Sequence, residues 1–206
     1  MCHALLESPT FFALLLHIDE DLAEAARAEG CPACGGTLHR ADYPRKPRGC
    51  PEPWREAFAT RRSFCCAQCR RRLTPNSVRF LGRRVYLGVI VVVASVRHTG
   101  HHPKAHALAA TLAVPIRTLR RWQTWWREQL AQTPLWCGAQ GRFVPPVDLQ
   151  QAPGSLLERF LGDAAAALAA LLRFLSPLTS RSCRLHEGGR RHAEDAARRR
   201  PGTPLG

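Results

Sequence analysis

Cys31-Pro32-Ala33-Cys34-Gly35-Gly36 and, with thirty-one residues between Cys34 and Cys66, Cys66-Ala67-Gln68-Cys69-Arg70-Arg71-Arg72 decide how this chain is read. Two residues between the cysteines of a pair let one tight turn aim both sulfurs at a single point. Two such turns supply four thiolates for a tetrahedral zinc ion at about 2.3 Å. Glycine after the first pair lets the backbone turn under the metal. The intervening loop is long, but closure entropy grows only slowly with length. The expected cofactor is therefore one structural Zn²⁺ held by Cys31, Cys34, Cys66 and Cys69. Cys65 offers an alternative to Cys66, in a Cys-x-x-x-Cys pair with Cys69, and His39 and Cys50 are poorer substitutes. Four cysteine ligands leave no open coordination position, so the ion supports structure and not catalysis.

Around this module the chain is strongly basic, with net charge +14 and a pI near 10.6, which points to a polyanionic partner. The charge is uneven. Residues 1–30 hold one Arg against six acids, whereas residues 40–84 hold thirteen Lys/Arg against three. Residues 97–130 hold six against one, residues 131–180 balance, and residues 181–200 hold seven against three. The cations thus gather on the cysteine module and on the segments C-terminal to it. Nine cysteines do not argue for a disulfide framework: the count is odd, two pairs have metal spacing, and no secretory leader is evident. The apolar stretch 86–96 is too short to span a bilayer, and acids and arginines interrupt 156–175. A soluble, reduced, cytoplasmic and nucleoid-associated protein with no membrane contact is expected.

Outward from the cysteines, Phe11, Phe12, Leu15, Ile18 and Leu22 recur at helical spacing and Gly30 ends the pattern. Residues 1–30 are read as an N-terminal helix, with Asp19, Glu20, Asp21 and Glu24 on its solvated face. Residues 31–76 form the zinc-ribbon module, with a short strand near 61–64. Residues 77–131 are read as a helical helix-turn-helix domain. Its apolar run 85–96 is rich in valine, which suits a strand, but a helix is preferred because the adjoining helical unit needs a packing partner. Residues 132–154 hold four prolines and read as a linker. Residues 155–176 read as an Ala/Leu-rich helix able to pair two copies of the chain, and residues 177–206 as a disordered basic tail. The fold class is mainly α with a small zinc-ribbon module, a helix-turn-helix three-helix core, a C-terminal helix and that tail.

The segment Ala105 through Trp122 has the layout of a helix-turn-helix. Small Ala109 allows close helix approach, Leu112 and Val114 flank the turn, and a second helix runs from Ile116 to about Leu130. Ala113 stands where Gly is common, and Pro115 where Ser often caps; proline is tolerated at a helix start. On the second helix Ile116, Leu119, Trp122, Trp126 and Leu130 form an apolar stripe, with Arg117, Arg120, Arg121, Thr124 and Arg127 largely off it; Thr118 and Leu119 fall where this helix packs back, and Thr118 is counted with those five as an expected DNA contact. Such a face can enter a major groove, where Arg pairs bidentately with guanine. Arg70, Arg71, Arg72, Arg83 and Arg84 are expected to hold phosphates. Trp122, Trp125 and Trp126 have core spacing, and His98, His101, His102 and His106 form a polar loop. No carboxylates stand where a two-metal nuclease or recombinase needs them, so no enzymatic activity is expected.

Cys-Pro-x-Cys-Gly, then Cys-x-x-Cys-Arg-Arg-Arg, then Thr74-Pro75 and Arg79-Phe80-Leu81-Gly82-Arg83-Arg84, then a helix-turn-helix: over residues 31–130 this order resembles the N-terminal DNA-binding region of zinc-ribbon transposases. It is similar also to short mobile-element-associated proteins that carry that region without a catalytic domain. The resemblance implies zinc on the four cysteines, double-stranded DNA read by the helix from Ile116, and a role as accessory, repressor or remnant. An RNA- or ribosome-associated zinc-ribbon protein is the competing expectation, since it explains the charge equally well.

Overall fold

The computed structural model describes residues 4–81, 86–96 and 114–180. The first helix, α1 (Pro9–Glu29), begins where the Ser8 side chain accepts the Phe11 amide and proline occupies the first turn. It ends at Gly30. Its apolar stripe is buried, from Phe11 and Phe12 through Leu15 and Ile18 to Ala23.

The cysteine module comes next, as short antiparallel strands. β1 (Leu38–Arg40), β4 (Phe64–Cys66) and β5 (Arg72–Leu73) form a sheet in the order β1-β4-β5. β2 (Tyr43–Pro44) and β3 (Thr60–Arg61) form a separate pair. In the larger sheet Leu38 faces Cys66, His39 faces Cys65, and Cys65 faces Arg72. Because neighbours on a strand point to opposite sides, Leu38, Phe64 and Cys66 turn inward while His39, Cys65 and Arg72 share the outer face.

The valine-rich run forms a helix, α2 (Gly88–Val96), and every residue from Gly88 to Ser95 is buried. Full burial on all sides removes any amphipathic period, which is why the sequence pattern suits strand and helix alike. The Ser95 hydroxyl donates to the Val91 carbonyl at 2.7 Å. A Cβ on Gly88 would stand 3.2 Å from a Leu172 methyl and 3.2 Å from the Val78 carbonyl, so glycine permits this helix to enter the core.

α3 (Ile116–Thr124) continues through a π-helical turn (Trp125–Gln129) and a 3-10 turn (Leu130–Gln132). Leu119, Trp122, Trp126 and Leu130 face the core, and Tyr86 meets the Trp122 ring edge-on at 5.1 Å. The first helix of the expected helix-turn-helix, and the histidines at 98, 101, 102 and 106, lie outside the described residues.

Two expectations need correction here. Residues 132–154 are not an extended linker: they include α4 (Pro134–Ala139) and 3-10 turns at Gln140–Arg142 and Leu149–Gln151, and Trp136 and Ala152 join the main core. Pro134 and Pro153 stand at helix starts, while Pro145 and Pro146 lie between the two 3-10 turns. The Ala/Leu helix is divided into α5 (Gly154–Leu157) and α6 (Ala164–Leu175), the latter starting where Asp163 accepts the Ala166 amide at 2.8 Å. Leu168, Leu171, Leu172 and Leu175 of α6 are fully buried in the core of the same chain. A 3-10 turn (Ser176–Thr179) closes the helix, so the first residues of the expected tail are ordered; residues 181–206 lie outside the described set.

Cysteine module and helical region meet through α1. Asp19, read from sequence as solvated, is 2% exposed. Its carboxylate accepts the Ser77 hydroxyl at 2.6 Å, the Val78 amide at 2.7 Å and Arg79 Nε at 2.7 Å. The other donors of Arg79 reach the carbonyls of Ala57 and Thr60. A buried ion pair tolerates desolvation when its remaining donors and acceptors are satisfied in this way. The Ser77 amide donates in turn to the Thr179 hydroxyl at 2.9 Å. On the surface beside it, Glu20 pairs with Arg40 and Arg62, and Asp42 pairs with the same two arginines. Burial would raise the Asp42 carboxyl, but the Ser63 amide and both guanidiniums hold it below the usual carboxylate range.

Candidate metal centre and its basic surroundings

Each cysteine pair is folded by its own backbone. The Gly35 and Cys34 amides return to the Cys31 carbonyl at 2.7 and 3.3 Å, and the Cys31 amide reaches the Gly36 carbonyl at 2.9 Å. In the second turn the Arg70 amide returns to the Cys66 carbonyl at 3.1 Å and the Cys66 amide to the Arg71 carbonyl at 3.0 Å. Arg70 adopts φ 58°, left-handed and uncommon for a residue with a side chain, which reverses the chain directly after the second pair.

These turns bring together the sulfurs of Cys31, Cys34, Cys66 and Cys69, all within 4.8 Å of one another. Cys31 and Cys69 are 3.5 Å apart, as are Cys34 and Cys66. Four sulfurs around zinc at about 2.3 Å would be about 3.8 Å apart, so the donor set can hold a metal ion such as zinc. The Cys66 thiol is drawn down to about 6, first by the Cys69 amide and then, against burial, by the Gln68 amide and neighbouring sulfurs. Cys31 is also lowered, chiefly by the Ala33 amide. Cys69 goes the other way: the Arg71 amide lowers it, but burial and the three nearby sulfurs push it up to about 12. A dication placed among four thiols favours the thiolate form of its ligands.

Strand alternation settles the competition between neighbouring cysteines. Cys66 turns inward with Phe64, whereas Cys65 lies on the outer face, its thiol near the Arg70 carbonyl at 3.6 Å. His39 shares that outer face and Cys50 belongs to the helical region's core, so neither approaches the four sulfurs.

Arg70, Arg71 and Arg72 are exposed beside the second pair. Arg72 also donates to the Ala41 carbonyl at 3.3 Å and lies over the Tyr43 ring. On α3 and its continuation Arg117, Arg120, Arg121 and Arg127 are exposed, and Thr124 is half-buried. Thr118 corrects the expected contact face: it is 9% exposed because it lies four residues before Trp122 and eight before Trp126, on the side turned to the core. Arg83 and Arg84 lie outside the described residues. Trp122 and Trp126 are buried and Trp125 is half-buried. No helix among the described residues is long and apolar enough to cross a membrane.

Sequence reasoning missed Asp19 and Arg79 as the polar link between the two regions. A signal was present: Asp19 stands four residues after Leu15 and seven after Phe12, on the apolar stripe of α1 and not off it. Comparison with family models, with curated proteins and with solved structures finds no match for this chain.

Proposed function

We propose that the protein is a non-catalytic binder of double-stranded DNA, stabilised by one structural zinc and akin to the DNA-binding region of transposases and mobile-element-associated proteins. In this reading the cysteine module is a zinc ribbon whose Arg70, Arg71 and Arg72 hold phosphates. The helix Ile116–Thr124 is the second helix of a helix-turn-helix, with its first helix in residues outside the described set. One observation carries the reading. Arg117, Arg120, Arg121 and Arg127 are exposed along one helical path whose opposite side, Leu119, Trp122, Trp126 and Leu130, is fixed in the core. A cationic face on a rigidly seated helix suits a groove lined with phosphates and guanine acceptors. Four cysteine ligands supply a closed crosslink that stiffens the adjoining basic turn.

The test begins with metal analysis of the purified chain, for which one zinc per molecule is expected. Binding to duplex DNA and to structured RNA is then compared at two salt concentrations. Duplex binding that weakens steeply with salt, and that Arg120→Ala with Arg121→Ala reduces, supports the proposal. Preference for structured RNA at equal salt replaces it with an RNA- or ribosome-associated role. Equal duplex affinity of the arginine variant removes α3 as the reading element.

A further inference from the structure

The 44–49 loop, Pro44-Arg45-Lys46-Pro47-Arg48-Gly49, packs three cations and two prolines into six residues without an acid. Its placement gives that composition a use. The Arg45 amide donates to the Ala59 carbonyl at 2.6 Å, and the Arg48 carbonyl accepts the Leu87 amide at 3.2 Å, just ahead of α2. Gly49, at φ 75°, lies so close to α2 that a Cβ there would stand 2.7 Å from Ile90 Cγ1. Proline at two positions fixes φ and reduces what the loop loses on ordering. The backbone is therefore held, while the charged ends are left outside.

Lys46 and Arg48 differ from the four ion-paired arginines around them. Arg40 and Arg62 are paired with Glu20 and Asp42, Arg55 with Glu52, and Arg79 with Asp19. Neither Lys46 nor Arg48 forms an ion pair among the described residues, and both are exposed. The guanidinium of Arg48 sits 6.0 Å from the centre of the Tyr86 ring, and the Tyr86 ring meets Trp122 of α3 at 5.1 Å. A ring beneath a guanidinium fixes its position without consuming its N–H fork. The loop's own Arg45 approaches the Phe80 ring at 5.2 Å, as do Arg61 and Arg79 from outside the loop at 6.0 and 5.2 Å. Arg61 is buried, donates to the Pro75 carbonyl and forms no ion pair among the described residues. Its charge adds to the positive potential at the loop surface.

We propose that Lys46 and Arg48 form a second phosphate-contacting element, which grips the DNA backbone beside the helix Ile116–Thr124 and fixes its approach. The inference rests on the duplex-binding reading above. It assigns the loop a positioning role: phosphate contacts carry affinity and orientation, not sequence.

The experiment uses the full zinc-loaded chain and a labelled mixed-sequence duplex, with affinity measured between about 50 and 200 mM salt. Lys46→Ala and Arg48→Ala should each lower the slope of log affinity against log salt by about 1, and together by about 2. The loss should be equal on unrelated duplex sequences. If Arg48→Ala loosens the Tyr86 contact and lowers the melting temperature, Lys46→Ala decides. Unchanged slopes for the loop variants, with a reduced slope for Arg120→Ala and Arg121→Ala, overturn the inference and leave the duplex reading standing. Unchanged slopes for both sets overturn both. A loss confined to structured RNA overturns the loop's assignment to duplex DNA.

Discussion

In the helical region Trp126, Leu130, Leu168, Leu171, Leu172 and Leu175 are fully buried and join α1 and α2 in one large apolar cluster. The cysteine module has a separate cluster made of Ala23, Cys31, Leu38, Phe64 and Cys66. Two of those five are candidate metal ligands, and Ala23 comes from α1. The loop between the cysteine pairs is anchored elsewhere, through Cys50 and Phe58 in the larger cluster, and the module's own cluster adds only Leu38 and Phe64 beyond the cysteines and Ala23, at about 1.5–3 kcal/mol each when buried. The strands around them are two or three residues long. Where the helical region is held by apolar area, the module needs a crosslink, and four converging sulfurs are placed to provide one. Small folded units with little core commonly depend on a metal in this way.

The contrast can be broken most forcefully by removing the metal. Chelation, or Cys66→Ser, should unfold the module while the helical region persists; binding energies of structural zinc are about 10–16 kcal/mol in small peptides. Hydrogen exchange checks it: protection should vanish at 38–40 and 64–73 and remain at 88–96 and 164–175. Concerted loss in both regions would show that the two cores are one cooperative unit.

Asp19→Asn attacks the joint between the regions. It leaves Arg79 buried without its carboxylate, so a loss of about 3–5 kcal/mol is expected. Urea denaturation should show it, with any metal held by the four cysteines unchanged in stoichiometry at low denaturant. Leu172→Ala tests the helical side alone and should cost about 2–5 kcal/mol through the cavity it leaves. A metal site insensitive to this change would sharpen the division. The smallest effect is chemical. Burial pushes the Cys50 thiol up to about 11, despite the opposing pull of Arg55 and Arg79. Near pH 8 Cys50 should resist alkylation while exposed Cys137 reacts, and rapid labelling of Cys50 would mean that its core opens.

Much of this division is legible in the sequence, and the exceptions have physical causes. The four cysteines stand out by spacing, because a turn of fixed length leaves few ways to aim two sulfurs. α1 is legible because Phe12, Leu15 and Ile18 keep a helical period up to Gly30. α2 is legible only through its context, since burial on every side erases the period that marks a helix. Asp19 misleads because an acid is ordinarily a surface residue, and its partners Ser77 and Arg79 are distant in sequence. Thr118 misleads because a polar side chain close to Arg117 and Arg120 hides its four-residue relation to Trp122. The prolines of 132–154 look like spacers, while Pro134 and Pro153 stand at helix starts beside Trp136 and Ala152 of the core, which only the fold brings together. Choosing Cys66 over Cys65 requires strand register, which spacing alone does not give.

The polar junction around Asp19 has a consequence for folding kinetics. Its hydroxyl and carboxylate contacts join positions 58 apart, from Asp19 to Ser77, and 102 apart, from Ser77 to Thr179. Bonds of such separation form only after large loops have closed, which slows the approach to the native state. Along the chain α1 precedes its partners: the Asp19 carboxylate waits for Ser77, Val78 and Arg79, and the Ser77 amide waits for Thr179. The four cysteines, at 31–69, precede residues 114–180 of the helical core, so a metal can assemble the cysteine module before that core closes, and the order of metal loading and core closure can be read from pulse-labelled refolding.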